Sequence, residues 1–154
     1  MAETNLDTIV FDLDGTLANI THRLHFVKNG AKNWDSFFKA IPDDQPIKEM
    51  VDLAVTLLKA DDKPVAFATG RPERTRQDTV AWLLDNGIDT NFEARLFMRG
   101  DGDKRPDHIV KKIILSDMRK VGLDPVLVFD DRQSVVDMWR EEGIRVAQVA
   151  LGKF

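Results

Sequence analysis

Apolar residues follow two rhythms along this chain. Short runs, "TIVFD" (8–12), "PVAFAT" (64–69), "RLFMR" (95–99), "VLVFD" (126–130) and "RVAQVA" (145–150), read as strands. Four of them carry no polar residue on either face until they end, the pattern of parallel strands covered on both sides. Between them, Pro46–Ala60, Glu73–Asn86, Asp107–Val121 and Arg132–Glu142 repeat apolar residues at three- and four-residue spacing, as in Val80, Leu83 and Leu84 or Ile109, Ile113 and Ile114. These read as amphipathic helices. Gly87, Gly122 and Gly143 follow three of them where a left-handed C-cap is favoured. The alternation predicts a doubly wound α/β domain with a mostly parallel sheet. Ligands of such sheets bind beyond the carboxyl ends of the strands, near the switch point in strand order.

One segment breaks the rhythm. Residues 18–45 form a 28-residue connection with no strand signal, and connections of that length are structured or functional. It is expected to be a small helical cap insert over the mouth of the site, within a single domain spanning 1–154. Trp34, Phe37 and Phe38 either pack this insert down or stack a base.

Composition narrows the setting. The chain is 43% hydrophobic and 31% charged, ordinary for a globular protein, and its net charge is −4. Bulk electrostatics therefore do not direct it to nucleic acid, although a local basic patch can. It has no cysteine, which excludes disulfides and thiolate chemistry and fits the cytoplasm as its compartment. The start, "MAETNLDTIV", lacks the basic and apolar regions of a signal peptide. No run reaches membrane-spanning length. No obligate protein partner is evident.

The chemistry lies where the strands end. The first run ends in Asp12 and, after one residue, Asp14; the second in Thr69-Gly70-Arg71; the fourth in Asp130 and Asp131. In a parallel sheet these ends share one edge. Four carboxylates converging there need a hard cation, and oxygen ligands without Cys or His favour Mg²⁺, with Asp12, Asp14, Asp130 and Asp131 as candidate metal ligands. Asp12 suits the role of nucleophile toward phosphorus, forming an aspartyl-phosphate. Asp14 can protonate the leaving alcohol and then deprotonate the attacking water. The Thr69 hydroxyl and the amides around Gly70 can hold phosphoryl oxygens. A lysine is needed to offset the negative charge; Lys111, 19 residues before Asp130, is the leading candidate and Lys112 the fallback.

"DLDGT", "ATGR", a lysine opening a helix, and "VFDDR", in that order, resemble the phosphatase branch of the haloacid dehalogenase (HAD) superfamily. "RGDGDKRPDHIVKKIIL" and "VFDDRQSVVDMWREEGIRVAQVALGKF" further resemble the 3′-phosphatase domains of bacteriophage polynucleotide kinase/phosphatase enzymes, including the Met-Trp-Arg of the penultimate helix and the Gly-X-Phe end. The resemblance implies a five-stranded sheet of order 3-2-1-4-5. It implies Asp12 as nucleophile, Asp14 as acid/base, Thr69 and Lys111 as phosphate ligands, and Asp130 and Asp131 as metal ligands or their support. Arg71, Arg99 and Arg105 fall where such domains carry arginines near the site. With Arg74, Arg76 and Lys104 they are expected to form a basic rim for a phosphodiester backbone.

The implied activity is a Mg²⁺-dependent phosphomonoesterase acting on 3′-phosphorylated DNA or RNA ends, hence a nucleic-acid repair enzyme, or on nucleotides. No G-x-x-x-x-G-K-[ST] motif is present in these residues, so the kinase half is expected to be missing. A nucleotidase or small-molecule phosphatase is the alternative within the superfamily. A phospho-accepting signalling domain of receiver type is the alternative from another class; receivers carry the acceptor after the third strand, whereas here the nucleophile candidate follows the first.

Overall fold

The computed structural model describes residues 5–89 and 95–152. Five parallel strands form the central sheet: β1 (Leu6–Phe11), β4 (Val65–Pro72), β5 (Leu96–Arg99), β6 (Leu123–Asp130) and β7 (Arg145–Gln148), in spatial order β5-β4-β1-β6-β7. That is the 3-2-1-4-5 order expected from the sequence. The chain runs outward from β1 on one side and crosses back to β6 on the other, so the switch point lies between β1 and β6.

Alternating side chains on each strand serve two separate cores. Phe11, Val65 and Phe67 face α2 (Lys48–Ala60) and α3 (Arg76–Asp85), packing with Val51, Ala54, Trp82 and Leu83. Val10, Ala66, Ala68 and Val128 face α4 (Asp107–Lys120) and α5 (Gln133–Glu141), packing with Ile114, Met118, Val135 and Trp139. Gly87, Gly122 and Gly143 have φ of 85°, 87° and 80° at the ends of α3, α4 and α5, as their positions predicted. Among the described residues no helix is long and apolar enough to cross a membrane.

Two departures from the sequence expectation involve proline and glycine. β6 starts three residues before the predicted Val126, in spite of Pro125. A register shift against Thr8 and Ile9 leaves Val126 without a partner on β1 and accommodates the missing N–H. β4 runs on through Pro72 rather than ending at Thr69, and its register with β5 shifts between Thr69 and Pro72, so Gly70 and Arg71 bulge out of the ladder.

The insert is helical, as expected, with α1 (Trp34–Lys39) between short 3₁₀ helices at Thr21–Phe26 and Ile41–Asp43. It is not free of strand, however. β2 (Ala18–Asn19) and β3 (Gln45–Pro46) pair antiparallel and clasp its two ends. Asn33 caps α1, its side chain accepting the Ser36 N–H at 3.0 Å. Phe154, the last residue of the Gly-X-Phe end, lies outside the described residues.

Phe11, Phe67 and Phe129 lie abreast on the three central strands, paired in register. The Phe11 ring stacks on Phe129 with centroids 4.8 Å apart and on Phe67 at 6.3 Å. Because Asp12 and Asp130 each follow a member of this ladder, its register brings them side by side. Phe11→Ala is expected to cost about 3–5 kcal/mol of unfolding free energy, read by denaturant titration. A loss below about 1 kcal/mol would show that the ladder does not anchor the strand ends.

Candidate active site

β1 ends at Phe11, and the Asp12 backbone N–H donates to the Phe129 carbonyl at 2.9 Å, holding the two strand ends together. Lys111 lies in the second turn of α4, and its side chain runs back along the helix toward the sheet edge. Its Nζ donates to Asp12 Oδ1 at 2.7 Å and Asp130 Oδ2 at 2.8 Å. All three residues are buried, as is Asp131. Oxygens of Asp12, Asp130 and Asp131 lie within 4.8 Å of one another, the one such grouping among the described residues that could hold a metal ion. Lys112 is 65% exposed at its side chain and pairs with Glu142, so of the two adjacent lysines it is Lys111 that enters the site.

Hydrogen bonds fix the orientation of these carboxylates. Asp12 Oδ2 accepts the Thr16 hydroxyl at 3.0 Å. Asp130 Oδ1 accepts the Asp131 N–H at 2.9 Å, and its Oδ2 also accepts the Trp139 indole N–H at 3.4 Å. Burial, reinforced by the Asp130 charge and only partly offset by Lys111, pushes the Asp12 carboxyl well above the usual range. Burial likewise raises Asp131, although its hydrogen bond with Asp12 works the other way. Burial disfavours the Lys111 charge, but Asp12 and Asp130 outweigh it and hold the ammonium above its ordinary pKa. Three carboxylates against one ammonium leave two negative charges uncompensated, the donor set and charge that suit a divalent cation with oxygen ligands.

Asp14 is not part of this grouping. The chain turns at Gly15, whose φ of 84° lets the backbone double back, with the Leu13 carbonyl accepting three successive N–H groups. Asp14 Oδ1 then accepts from Arg71 Nε and Nη2 at 2.9 and 2.6 Å and from Arg23 Nη2 at 3.0 Å. Both guanidiniums also hold Asp44, Arg23 through Nε and Nη2 at 2.8 Å each and Arg71 through Nη2 at 3.0 Å. His22 Nε2 lies 2.6 Å from Asp44 Oδ1. Burial would raise the Asp14 pKa, but Arg71 and Arg23 outweigh it and hold the carboxyl below its usual value. Asp14 is therefore ionised in this form of the protein.

Arg71, expected from the resemblance to lie near the site, does line the cavity but is buried within it. Only 1% exposed, it spends its guanidinium on Asp14, Asp44 and the Thr79 hydroxyl. Thr69 is buried and its hydroxyl accepts the Arg71 N–H at 3.1 Å; Gly70, not Thr69, lines the open cavity. A Cβ on Gly70 would sit 2.6 Å from Asp107 Oδ1, so a side chain there would have to displace the Asp107 carboxylate. Arg99 donates to the carbonyls of Gly70, Asp103 and Arg105 and to Asp107, which ties the loop before α4 to the bulge in β4. Arg105 lies at the exposed lip, paired with Asp103. Arg76 is engaged with Glu73, while Arg74, paired with Asp35 at 3.7 Å, and Lys104 border the cavity.

Three partners were not singled out from the sequence. Asp107 lies four residues before Lys111 on the same helix face, a spacing that could have flagged it; it is held by Arg99 and Arg132. Arg23 and Asp44 sit in the insert, in short turns whose register no hydrophobic period reveals. His22 and His25 do not form a ligand pair, since His22 faces Asp44 and the His25 ring lies 4.0 Å from that of Phe26.

Comparison with known proteins identifies the family. Residues 6–154 match the family model of the polynucleotide kinase PNKP phosphatase domain. A protein of Autographa californica nuclear polyhedrosis virus that carries the name bifunctional polynucleotide kinase/RNA ligase is 26% identical over 136 residues, covering 86% of this chain and 18% of the viral one. In the solved Pnkp1/Rnl/Hen1 RNA repair complex, one chain superposes with a TM-score of 0.77 at 27% identity, over 99% of this chain and 46% of that one. This chain thus spans less than half the length of either relative. A class C acid phosphatase from Bacillus anthracis, at 14% identity and TM-score 0.66, covers 97% of this chain and 70% of its own and shares the fold. The same holds for a haloacid dehalogenase-like hydrolase from Streptococcus pneumoniae, at 18% identity and TM-score 0.62, over 92% of this chain and 83% of its own. Matched over nearly its whole length, this chain belongs to the PNKP phosphatase-domain family and is a HAD-fold phosphatase, a phosphoric monoester hydrolase.

Proposed function

We propose that this chain is a Mg²⁺-dependent phosphomonoesterase that works through an aspartyl-phosphate and removes 3′-phosphates from polynucleotide ends. In this proposal residues 1–154 form one catalytic domain and residues 18–45 its cap. The observation that carries the mechanism is the division of the buried charges: Asp12 shares Lys111 with two more carboxylates, while Asp14, two residues on, is held by two arginines.

Asp12, Asp130 and Asp131 would hold the metal, which when bound lowers the pKa of Asp12 and draws negative charge toward the site. Asp12 attacks phosphorus with one oxygen, and the bond to the 3′ oxygen breaks. Lys111, 2.7 Å from Asp12, offsets charge on the transferring group. Gly70 presents its backbone without a side chain in the way. Asp14, ionised in the free protein, takes the proton of the water that hydrolyses the aspartyl-phosphate. For the first step the proton arrives with the substrate: a phosphate monoanion carries it, and Asp14 passes it to the leaving oxygen.

The polynucleotide end as substrate is supported by the relatives, one named a kinase/RNA ligase and another solved in an RNA repair complex. It is supported too by the cavity lining, which carries nine lysines and arginines against six aspartates in a chain of net charge −4. Such a lining is the local basic surface that a phosphodiester requires. Dephosphorylation leaves a 3′-hydroxyl, the end that a ligase joins.

Phosphate release with Mg²⁺ should be compared for 3′- and 5′-phosphorylated oligonucleotides and 3′- and 5′-mononucleotides. The 3′-phosphorylated oligomer is expected to react best, and Asp12→Asn to retain less than a hundredth of the activity with an unchanged circular dichroism spectrum. Equal or faster turnover of mononucleotides would make the protein a nucleotidase, and residual Asp12→Asn activity above a hundredth would remove Asp12 as nucleophile. A second expectation concerns pH. Since the second phosphate ionisation lies near pH ~6, kcat/KM should fall roughly tenfold per pH unit well above it as the monoanion disappears. A profile flat between pH 6 and 8 would contradict delivery of the proton by the substrate.

A further inference from the structure

The cavity that contains Asp12 has a volume of about 620 Å³ and extends under the cap. That lies within the roughly 300–1,000 Å³ of sites that bury a whole small ligand, so a phosphoryl group at its deep end leaves most of it open. The open part is walled on the cap side by Trp34 and Phe38. Trp34 is 45% exposed, whereas the other two tryptophans, Trp82 and Trp139, are 4% and 0% exposed. An insert that only needed a core would have buried its largest ring. Phe37 fills that role: it is buried, and the Arg23 guanidinium lies 4.3 Å from its ring centre.

Although exposed, Trp34 has a defined support. It stacks on Phe38 with centroids 5.8 Å apart and planes 23° from parallel, and meets Phe37 edge-on at 5.6 Å. Positive charge borders the platform, with Lys32 Nζ 5.7 Å from the Trp34 ring centre and Arg74 Cζ 5.1 Å from that of Phe38. Lys28 and Lys104 line the same cavity and make no ion pair among the described residues. Arg74 pairs with Asp35 at 3.7 Å, but a supported aromatic face beside cations such as Lys28 and Lys104 is the combination that binds single-stranded nucleic acid, base on ring and phosphate on ammonium.

We infer that Trp34, backed by Phe38, stacks the nucleobase of the 3′-terminal nucleotide while its phosphate lies at Asp12, with Lys28, Lys32 and Lys104 meeting the next phosphodiester. Trp34 is thus a specificity-determining residue, selecting ends that carry a base. This inference rests on the polynucleotide phosphatase function proposed above. The platform is also joined to the chemistry, because Arg23, in contact with Phe37, donates to Asp14 at 3.0 Å.

The test compares wild type, Trp34→Ala and Trp34→Phe on two 3′-phosphorylated oligonucleotides, one ending in a normal nucleotide and one abasic at that position. Loss of stacking is worth roughly 5- to 150-fold. Trp34→Ala is expected to reduce the ratio of kcat/KM for the base-bearing over the abasic end by that factor, and Trp34→Phe to keep most of it. An equal loss on both ends, or no change in the ratio, would overturn the assignment. Fluorescence gives a second readout independent of chemistry. The emission that wild type has and Trp34→Phe lacks should be quenched by an unphosphorylated dinucleotide, and absence of quenching would overturn stacking. Failure of wild type to release phosphate from either oligonucleotide would instead overturn the polynucleotide phosphatase function itself.

Discussion

Eight ionisable side chains lie together at the carboxyl edge of this sheet, and their division into two groups governs everything built around them. Asp14 and Asp44 face Arg23 and Arg71, two charges against two. Asp12, Asp130 and Asp131 face Lys111 alone, three against one. Removing charges from water costs several kcal/mol per ion unless partners compensate. The first group is closed, and its arginines hold Asp14 in a fixed direction. The second is open by two negative charges when all its carboxylates are ionised, a donor set that suits a divalent cation.

The fold supplies both groups from distant parts of the chain. Register along the phenylalanine ladder sets Asp12 beside Asp130 at the switch point, and α4 returns Lys111 to them across 99 residues of sequence separation. The bulge at Gly70 and Arg71 brings both residues to the cavity lining, with the Arg71 guanidinium buried against Asp14 and Asp44. Arg23 and Asp44 come from the two ends of the insert, which is therefore part of the electrostatics of the site as well as its roof. Trp82, on α3, donates its indole N–H to the Asp44 carbonyl at 2.8 Å and fixes the returning end of the insert.

What the sequence made legible follows from which signals are local. Strand-end aspartates, the Gly C-caps and the helix-borne lysine are each read from a few neighbouring residues, and the sheet order came from the resemblance of those motifs taken together. The ion pairs of Arg71 are not legible in the sequence because its partners, Asp14 and Asp44, lie 57 and 27 residues away. Arg23 and Asp44 carry no such signal, because a short 3₁₀ helix and the extended residue after another have no hydrophobic period to count. The extra length of β6 was hidden by Pro125, a residue that argues against a strand until the register shift beside it is known. The aromatic trio of the insert was left open between packing and stacking, and it divides: Phe37 packs, while Trp34 stays half exposed.

The uncompensated charge of Asp12, Asp130 and Asp131 is tested most directly by thermal stability against pH, with a chelator and with Mg²⁺. Asp12 and Asp131 have carboxyls raised by burial and by like charge, so the folded state binds more protons than the unfolded one between the ordinary aspartate value of about 3.9 and the raised values. Stability conferred by those protons is present at low pH and is lost as pH rises through the raised values. Asp14, with its lowered pKa, acts in the opposite sense and only below about pH 4. With the chelator, Tm should therefore fall as pH rises from about 5 toward neutral, whereas saturating Mg²⁺ should remove or reverse that fall by binding the ionised carboxylates. Identical pH curves with and without Mg²⁺, or a metal-free Tm that climbs steadily to neutral pH, would contradict an open charge deficit at this site.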